Sequence, residues 1–120
     1  MLKLPCFEKY IGIPYKGFGR DFDGCDCWGL LRLVYLHELK IEIPSYLTYL
    51  FKWNKILTDE EKPFDAISIR VMNKPLHVGL VVRKGKMLHT TPYLHSSCIE
   101  DYLTDNWRHR IVGFYRSEGL

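Results

Sequence analysis

Apolar residues between Cys27 and about Glu38 recur at the spacing of an amphipathic helix. The positions that form this stripe are Leu30, Leu31, Val34 and Tyr35, with Leu33 and Leu36 on the other sides. Asp26 directly precedes the stripe, and aspartate is a preferred residue type at a helix N-cap. We therefore predict a central, buried helix that begins at Cys27 and is capped by Asp26.

Two further helices are predicted from capping signals. Ser45 is placed to cap an aromatic-rich helix through "YLTYLFKWNKIL", which the polar "TDEEKP" would end. Ser97 and Glu100 have the spacing of a capping box, which predicts a short helix through Trp107. The glycine-rich "IGIPYKGFGRDFDG" is expected to be a long loop.

Four segments rich in β-branched residues, with turn signals between them, predict strands. They are "FDAISIRVM", "LHVGLVVR", "KMLHTT" and "RIVGFYR". Helices thus precede a mostly antiparallel sheet, which is typical of an α+β fold. The length of 120 residues fits a single domain, residues 1–120.

Composition and charge narrow the classes of partner. The content is 47% hydrophobic and 26% charged, as in ordinary globular domains. The net charge is +3, but lysines and arginines are scattered, which argues against a nucleic-acid partner. The start "MLKLPCFEKYIG" lacks the apolar core of a signal peptide and no segment approaches membrane-spanning length, so we expect synthesis in the cytoplasm and no membrane partner.

Four cysteines are present, and the cytosol would keep them as free thiols rather than two disulfides. Cys27 differs from the others because it opens a helix, whose unpaired N–H groups stabilise a thiolate or a developing oxyanion. The competing interpretation of Cys27 is a small hydrophobe in a core. Structural roles are expected for Cys6, Cys25 and Cys98.

His77 and His89 flank one predicted hairpin and are the candidate partners of the thiol. A general base must take the thiol proton, and a second polar group must fix the base's tautomer. We assign His77 to the first role and His89 to the second. Surface or structural roles are expected for His37, His95 and His109.

The two histidines can cooperate only if they share a face of the hairpin. A two-residue turn at 84–85 places them on opposite faces, whereas a three-residue loop at 83–85 pairs Val82 with Lys86 and sets His89 across from Gly79. We predict the three-residue loop, or another register of the same parity. The opposite face then gathers apolar residues fit to pack on the Cys27 helix, namely Val78, Leu80, Val82 and Leu88.

Three motifs together resemble the NlpC-type cysteine peptidases, papain-like hydrolases of the bacterial cell wall. They are "PYKGFGRDFDGCDCWGL", "HVGL" and "MLHTT", the last two placing their histidines twelve residues apart. The resemblance implies an enzyme with a papain-like fold and no metal or other cofactor. It also implies catalytic roles for Cys27 (nucleophile), His77 (base) and His89 (orienting residue), and substrate-binding roles for Tyr15, Asp26 and Trp28.

A tryptophan after the nucleophile, with "GLLRLVY", "IEIPSY" and "FYR", resembles the tail-assembly branch of bacteriophages and gene transfer agents. The family resemblance implies cleavage of the bond between γ-D-glutamate and a diamino acid in peptidoglycan stem peptides. The branch implies phage-tail proteins as partners and action at the cell wall as part of a particle. The segment 16–19, "KGFG", replaces the family's frequent Trp-Gly-Gly, which implies a different substrate rim.

Three alternatives stay open from the sequence. Cys25, Cys27, His77 and His89 are permissible zinc ligands, although a one-residue gap between the cysteines is unlike common zinc pairs. The chain could be a tail subunit whose site is idle. The same thiol chemistry could also act on another amide or acyl substrate.

Overall fold

The computed structural model describes residues 7–71 and 74–120, and it confirms an α+β architecture. The helix α1 spans Cys27–Val34. The strands are β1 Arg20–Asp21, β2 Gly24–Cys25, β3 Asn54–Ile56, β4 Ala66–Val71, β5 Lys74–Arg83, β6 Lys86–His89, β7 Cys98–Asp101 and β8 Ile111–Arg116. Short 3-10 helices span Glu8–Tyr10, Leu47–Lys52 and Arg108–Arg110, and a π-helical turn spans Tyr35–Leu39.

The sheet that carries the site has six strands in the order β3-β8-β4-β5-β6-β7, and each described pairing is antiparallel. Strands β1 and β2 form a separate two-stranded ladder before α1. β7 is therefore an edge strand, and β5 and β6 lie inside the sheet. In the described part of the chain, no helix has the length and apolar character needed to cross a membrane.

The predicted helix is confirmed at its start and differs at its end. Asp26 Oδ1 accepts a hydrogen bond from the backbone N–H of Gly29 at 2.8 Å, which is the predicted N-cap. After Val34 the chain widens into the π-helical turn and stops at Lys40, whose φ of 58° is left-handed. Leu36, which lies outside the predicted apolar stripe, is 46% exposed.

The sheet has a core on each face. One core contains the buried residues of α1 together with Val78, Leu80 and Leu88, as the hairpin register predicts, and Val82 packs at its margin. The other core lies on the opposite face; its members are Ile67, Ile69, Val81, Met87, Tyr102, Trp107 and Phe114. Strict alternation along β5 and β6 therefore decides which residues face the helix and which face away from it.

The β5–β6 hairpin places its side chains on the predicted faces, but its turn differs from the predicted one. Arg83 pairs with Lys86 across a two-residue turn, in which Gly85 takes a φ of +93°, so the predicted three-residue loop is wrong. A register shift between Val81 and Arg83 then inserts one extra residue, and Leu80 pairs with Leu88. Because this bulge restores the parity, His77 and His89 share a face.

Both remaining helix predictions fail because strand pairing outweighs local signals. The aromatic segment forms only the 3-10 helix up to Lys52, and β3 then pairs with β8. Ser45 does not cap it; its hydroxyl accepts from Arg20 Nε at 3.1 Å. The Ser97–Glu100 region forms β7 against β6, and the Ser97 hydroxyl instead accepts from the Ile13 N–H at 2.9 Å.

Candidate active site

Cys27 lies at the first position of α1 and keeps partial solvent exposure. Backbone N–H groups of Val78, Trp28 and Cys27 itself lie near the sulfur and lower the pKa of its thiol. Val78 follows His77 on β5, so the helix start meets β5 beside the histidine predicted to be the base. These N–H groups form a cluster of donors where negative charge on a thiolate or an oxyanion would be stabilised.

The pKa of the Cys27 thiol is nevertheless raised, and burial is the main cause. The Val78 N–H opposes this effect, while the negative charge of Asp26 adds to it. The helix start therefore does not by itself produce a thiolate. A thiol in this setting needs a base to remove its proton when it reacts.

The carboxylate of Asp26 is fully engaged in holding the loop against the helix. Oδ1 accepts from Gly29 and from Arg20 Nη1, the latter at 2.6 Å, and Oδ2 accepts from the Phe18 N–H at 3.0 Å. Arg20 also donates to the Ser45 carbonyl at 3.1 Å. These contacts give Asp26 a structural role at the N-cap.

Tyr15 lies close enough to Cys27 and Asp26 for their charges to help raise the pKa of its phenol, although burial is the larger cause. Its backbone N–H donates to the His95 carbonyl at 2.9 Å, which holds the loop in place. Tyr15 is therefore partly exposed and within electrostatic range of the thiol. Trp28 is different: it is 2% exposed and its Nε1 donates to the Pro44 carbonyl at 2.8 Å, which makes it a residue of the core.

A chain of hydrogen bonds joins the two histidines to a carboxylate. His77 Nε2 lies 3.1 Å from His89 Nδ1, and His89 Nε2 lies 2.5 Å from Glu100 Oε2. His89 is fully buried, and the ring of Trp107 meets it edge-on at a centroid distance of 5.0 Å. Burial lowers the pKa of His89, although Glu100 opposes this effect. The lowered pKa favours the neutral imidazole.

This chain fixes the tautomers of both imidazoles. A carboxylate can only accept, so Glu100 requires the proton of neutral His89 to be on Nε2. His89 Nδ1 must then accept from His77 Nε2–H, and the unprotonated nitrogen of His77 is Nδ1. Glu100 thereby prepares His77 to receive a proton.

Glu100 was not predicted from the sequence as a site residue. Its spacing from Ser97 suggests a capping box, and this local signal hides its place on a strand. On β7, Cys98 pairs with His89 and Glu100 lies two residues further on the same face. No local signal in the sequence indicates this role, because only the pairing of β7 with β6 brings Glu100 to His89.

The remaining cysteines and histidines are distributed largely as expected. Cys25 is buried, and burial raises the pKa of its thiol to about 12. The described cysteines Cys25, Cys27 and Cys98 are free thiols, while Cys6 lies outside the described residues. The other three histidines, at positions 37, 95 and 109, are exposed.

Among the described residues, the four side chains considered as a zinc site do not gather their ligand atoms. The group of potential ligands found close together there consists of His89, Cys98 and Glu100. Cys25 is buried in the core that contains the residues of α1, away from these three residues. The zinc site considered from the sequence is therefore not formed in this part of the chain.

The fold and this thiol–imidazole arrangement define a papain-like class of domain. The chain matches the NlpC/P60 family over residues 12–116 and belongs to that family, whose members include cysteine peptidases and peptidoglycan hydrolases.

Individual relatives agree with this membership. A γ-DL-glutamyl hydrolase of Bacillus subtilis (strain 168) is 28% identical over 94% of the chain, which spans 28% of that protein's length. The NlpC/P60 domain of the peptidoglycan hydrolase SagA superposes with a TM-score of 0.75 at 24% identity, covering 91% of each chain. An NlpC/P60 protein from Bacillus cereus ATCC 10987 gives a TM-score of 0.77 at 20% identity, covering 95% of this chain and 41% of the other.

Proposed function

We propose that the chain is a cysteine peptidase that cleaves peptidoglycan stem peptides. The observation that carries the proposal is the hydrogen-bonded chain from Glu100 through His89 to His77, with the Cys27 thiol, at a helix start, near the backbone N–H of the residue that follows His77. A histidine held in one tautomer by a buried partner is what a general base for a neutral thiol requires.

Cys27, His77 and the backbone donors divide the reaction between them. Nδ1 of His77 takes the Cys27 proton as the sulfur attacks the scissile carbonyl, and the N–H groups near the sulfur stabilise the oxyanion. The imidazolium returns the proton to the leaving amine, which gives a thioester. Water, deprotonated by His77, then releases the acid and restores the thiol. Throughout, Glu100 and His89 hold the base in orientation.

The bond we propose is that between γ-D-glutamate and a diamino acid. The sequence resemblance to NlpC-type peptidases supports it, as does the relative named a γ-DL-glutamyl hydrolase. Phe18 also supports a substrate rim that differs from the family's usual one. It is 89% exposed in the loop that Asp26 holds beside the site, and it offers a ring to a bound peptide.

Purified protein incubated with defined muropeptides should release products whose masses correspond to cleavage after γ-D-glutamate. Cys27→Ala should abolish the products, because no other group supplies the nucleophile. Cys98→Ser is the matched cysteine control and should retain the activity. Product formation by a folded Cys27→Ala protein would refute the thiol mechanism, and cleavage at another bond would refute the proposed specificity.

We further propose delivery by a phage tail or phage-like particle, which rests on the resemblance of "CWGLLRLVY" and the terminal "FYR" to the tail-assembly branch. Particles purified from a producing strain should contain the protein in fixed proportion to tail proteins. If the folded protein cleaved no muropeptide yet was present in particles, the idle structural subunit would become the better account.

A further inference from the structure

Three potential metal ligands converge at the outer end of the histidine chain. They are Nε2 of His89, Sγ of Cys98 and a carboxylate oxygen of Glu100, all within 4.8 Å of one another. β6 supplies the first and β7 the other two, because Cys98 pairs directly with His89. The convergence therefore follows from sheet register and not from a flexible loop.

The donor set matches a soft divalent cation. Imidazole, thiolate and carboxylate are the ligands that zinc prefers, at about 2.0–2.3 Å from the metal. Ligand atoms around a tetrahedral zinc are then roughly 3.3–3.8 Å apart, whereas His89 Nε2 and Glu100 Oε2 are 2.5 Å apart. Glu100 must withdraw by about an ångström, which its position on the edge strand and its 32% exposed side chain permit.

We propose that His89, Cys98 and Glu100 form a binding site for Zn²⁺, with water as the fourth ligand, and that metal binding there inhibits the enzyme. The site differs from the catalytic thiol, because Cys27 is not one of its ligands. Metal binding is independent of the proposed hydrolase function, whereas the inhibition rests on it.

Inhibition follows from the tautomers. Zinc on Nε2 of His89 displaces that nitrogen's proton, so neutral His89 must carry its proton on Nδ1. Nδ1–H then donates to His77 Nε2, which has to accept, and the proton of His77 moves to Nδ1. The nitrogen that would take the Cys27 proton is thereby occupied.

The protons balance across this change. The two imidazoles hold two protons before and after binding, and the proton released to solvent comes from the Cys98 thiol as it becomes a thiolate. One proton should therefore be released for each zinc bound.

Binding is best measured in the Cys27→Ala protein, which cannot place zinc on the catalytic thiol. Titration against a chromogenic chelator should give one zinc per chain with release of one proton. Cys98→Ser in the same background should weaken binding by about 100-fold or more, since even an outer-shell partner typically contributes 10- to 100-fold. His109→Gln is the control for adventitious binding at an exposed histidine and should change nothing.

Muropeptide hydrolysis by the otherwise unmodified chain should be inhibited by zinc and restored by a chelator. Cys98→Ser should keep the basal rate and become resistant at the same zinc concentration. Absence of stoichiometric zinc in the Cys27→Ala protein, or binding that survives Cys98→Ser, would overturn the site. Equal inhibition of the unmodified chain and of Cys98→Ser by zinc would overturn the inhibitory role. A lack of hydrolysis in the absence of zinc would refute only the proposed function.

Discussion

At the scale of single residues, the reactivity of Cys27 depends on competing influences on one sulfur atom. Burial and the nearby Asp26 raise the pKa of the thiol, and backbone N–H groups of the helix start and of Val78 lower it. Burial has the largest effect. The free enzyme is therefore expected to hold a neutral thiol and to form the thiolate only as His77 accepts the proton.

Alkylation of Cys27 by iodoacetamide should accelerate with rising pH and show no plateau below about pH 8.5, the ordinary thiol pKa. The alkylation rate rises with pH because only the thiolate reacts, and a raised thiol pKa moves thiolate formation to higher pH. Peptide mapping across a pH series measures the rate. Asp26→Asn retains a capping side chain but loses the charge, so its profile should shift to lower pH; a plateau near pH 6 in the unmodified chain would contradict this prediction.

At the scale of elements, the approach of the glycine-rich loop to α1 sets the position of the thiol. A Cβ added at Gly29 would lie 2.1 Å from the Gly19 carbonyl oxygen, a backbone atom that cannot move without displacing the loop. The same loop carries Arg20, which binds the Asp26 cap. The helix start and the loop are therefore positioned by one another.

Gly29→Ala should destabilise the protein by about 1–3 kcal/mol, the usual cost of overpacking. Alanine stabilises a helix relative to glycine by only about 1 kcal/mol, so the steric clash makes the net effect destabilising. The midpoint and slope of urea unfolding measure the effect. Gly17→Ala is the matched control, because a Cβ there meets nothing within 4 Å; equal midpoints for the two variants would show that the loop yields freely.

At the scale of the whole molecule, a buried ion pair joins two segments that are distant in the chain and adjacent in the sheet. Arg116 on β8 donates to both carboxylate oxygens of Asp65, which precedes β4, and both distances are 2.8 Å. Asp65 is fully buried, whereas the side chain of Arg116 is 26% exposed. The pair links residues 51 positions apart in the chain.

Arg116→Met should lower the free energy of unfolding by about 3–5 kcal/mol, because it leaves the Asp65 carboxylate buried without its cation. Chemical denaturation at neutral pH measures the change. Arg70→Met, at an exposed position of β4, is the control and should stay within about 0.5 kcal/mol. Similar losses in both variants would mean that loss of a positive charge, rather than of the pair, is responsible.

Features that depend on local physics could be predicted from the sequence. The Cys27 helix and its Asp26 cap follow from a 3.6-residue apolar period and one side-chain acceptor. The alternation of strand side chains also predicts that His77 and His89 share a face in every hairpin register of one parity.

Tertiary structure decided what depends on pairing between distant segments. The Ser97–Glu100 segment became a strand because β6 offered unpaired backbone groups, and only this pairing brings Glu100 to His89. The bulge after Val81 likewise restored the strand register that places both histidines on one face, which the two-residue turn alone would not produce. Hydrogen bonds between strands carry no signature in either strand's own sequence, which is why the last member of the histidine chain could not be predicted.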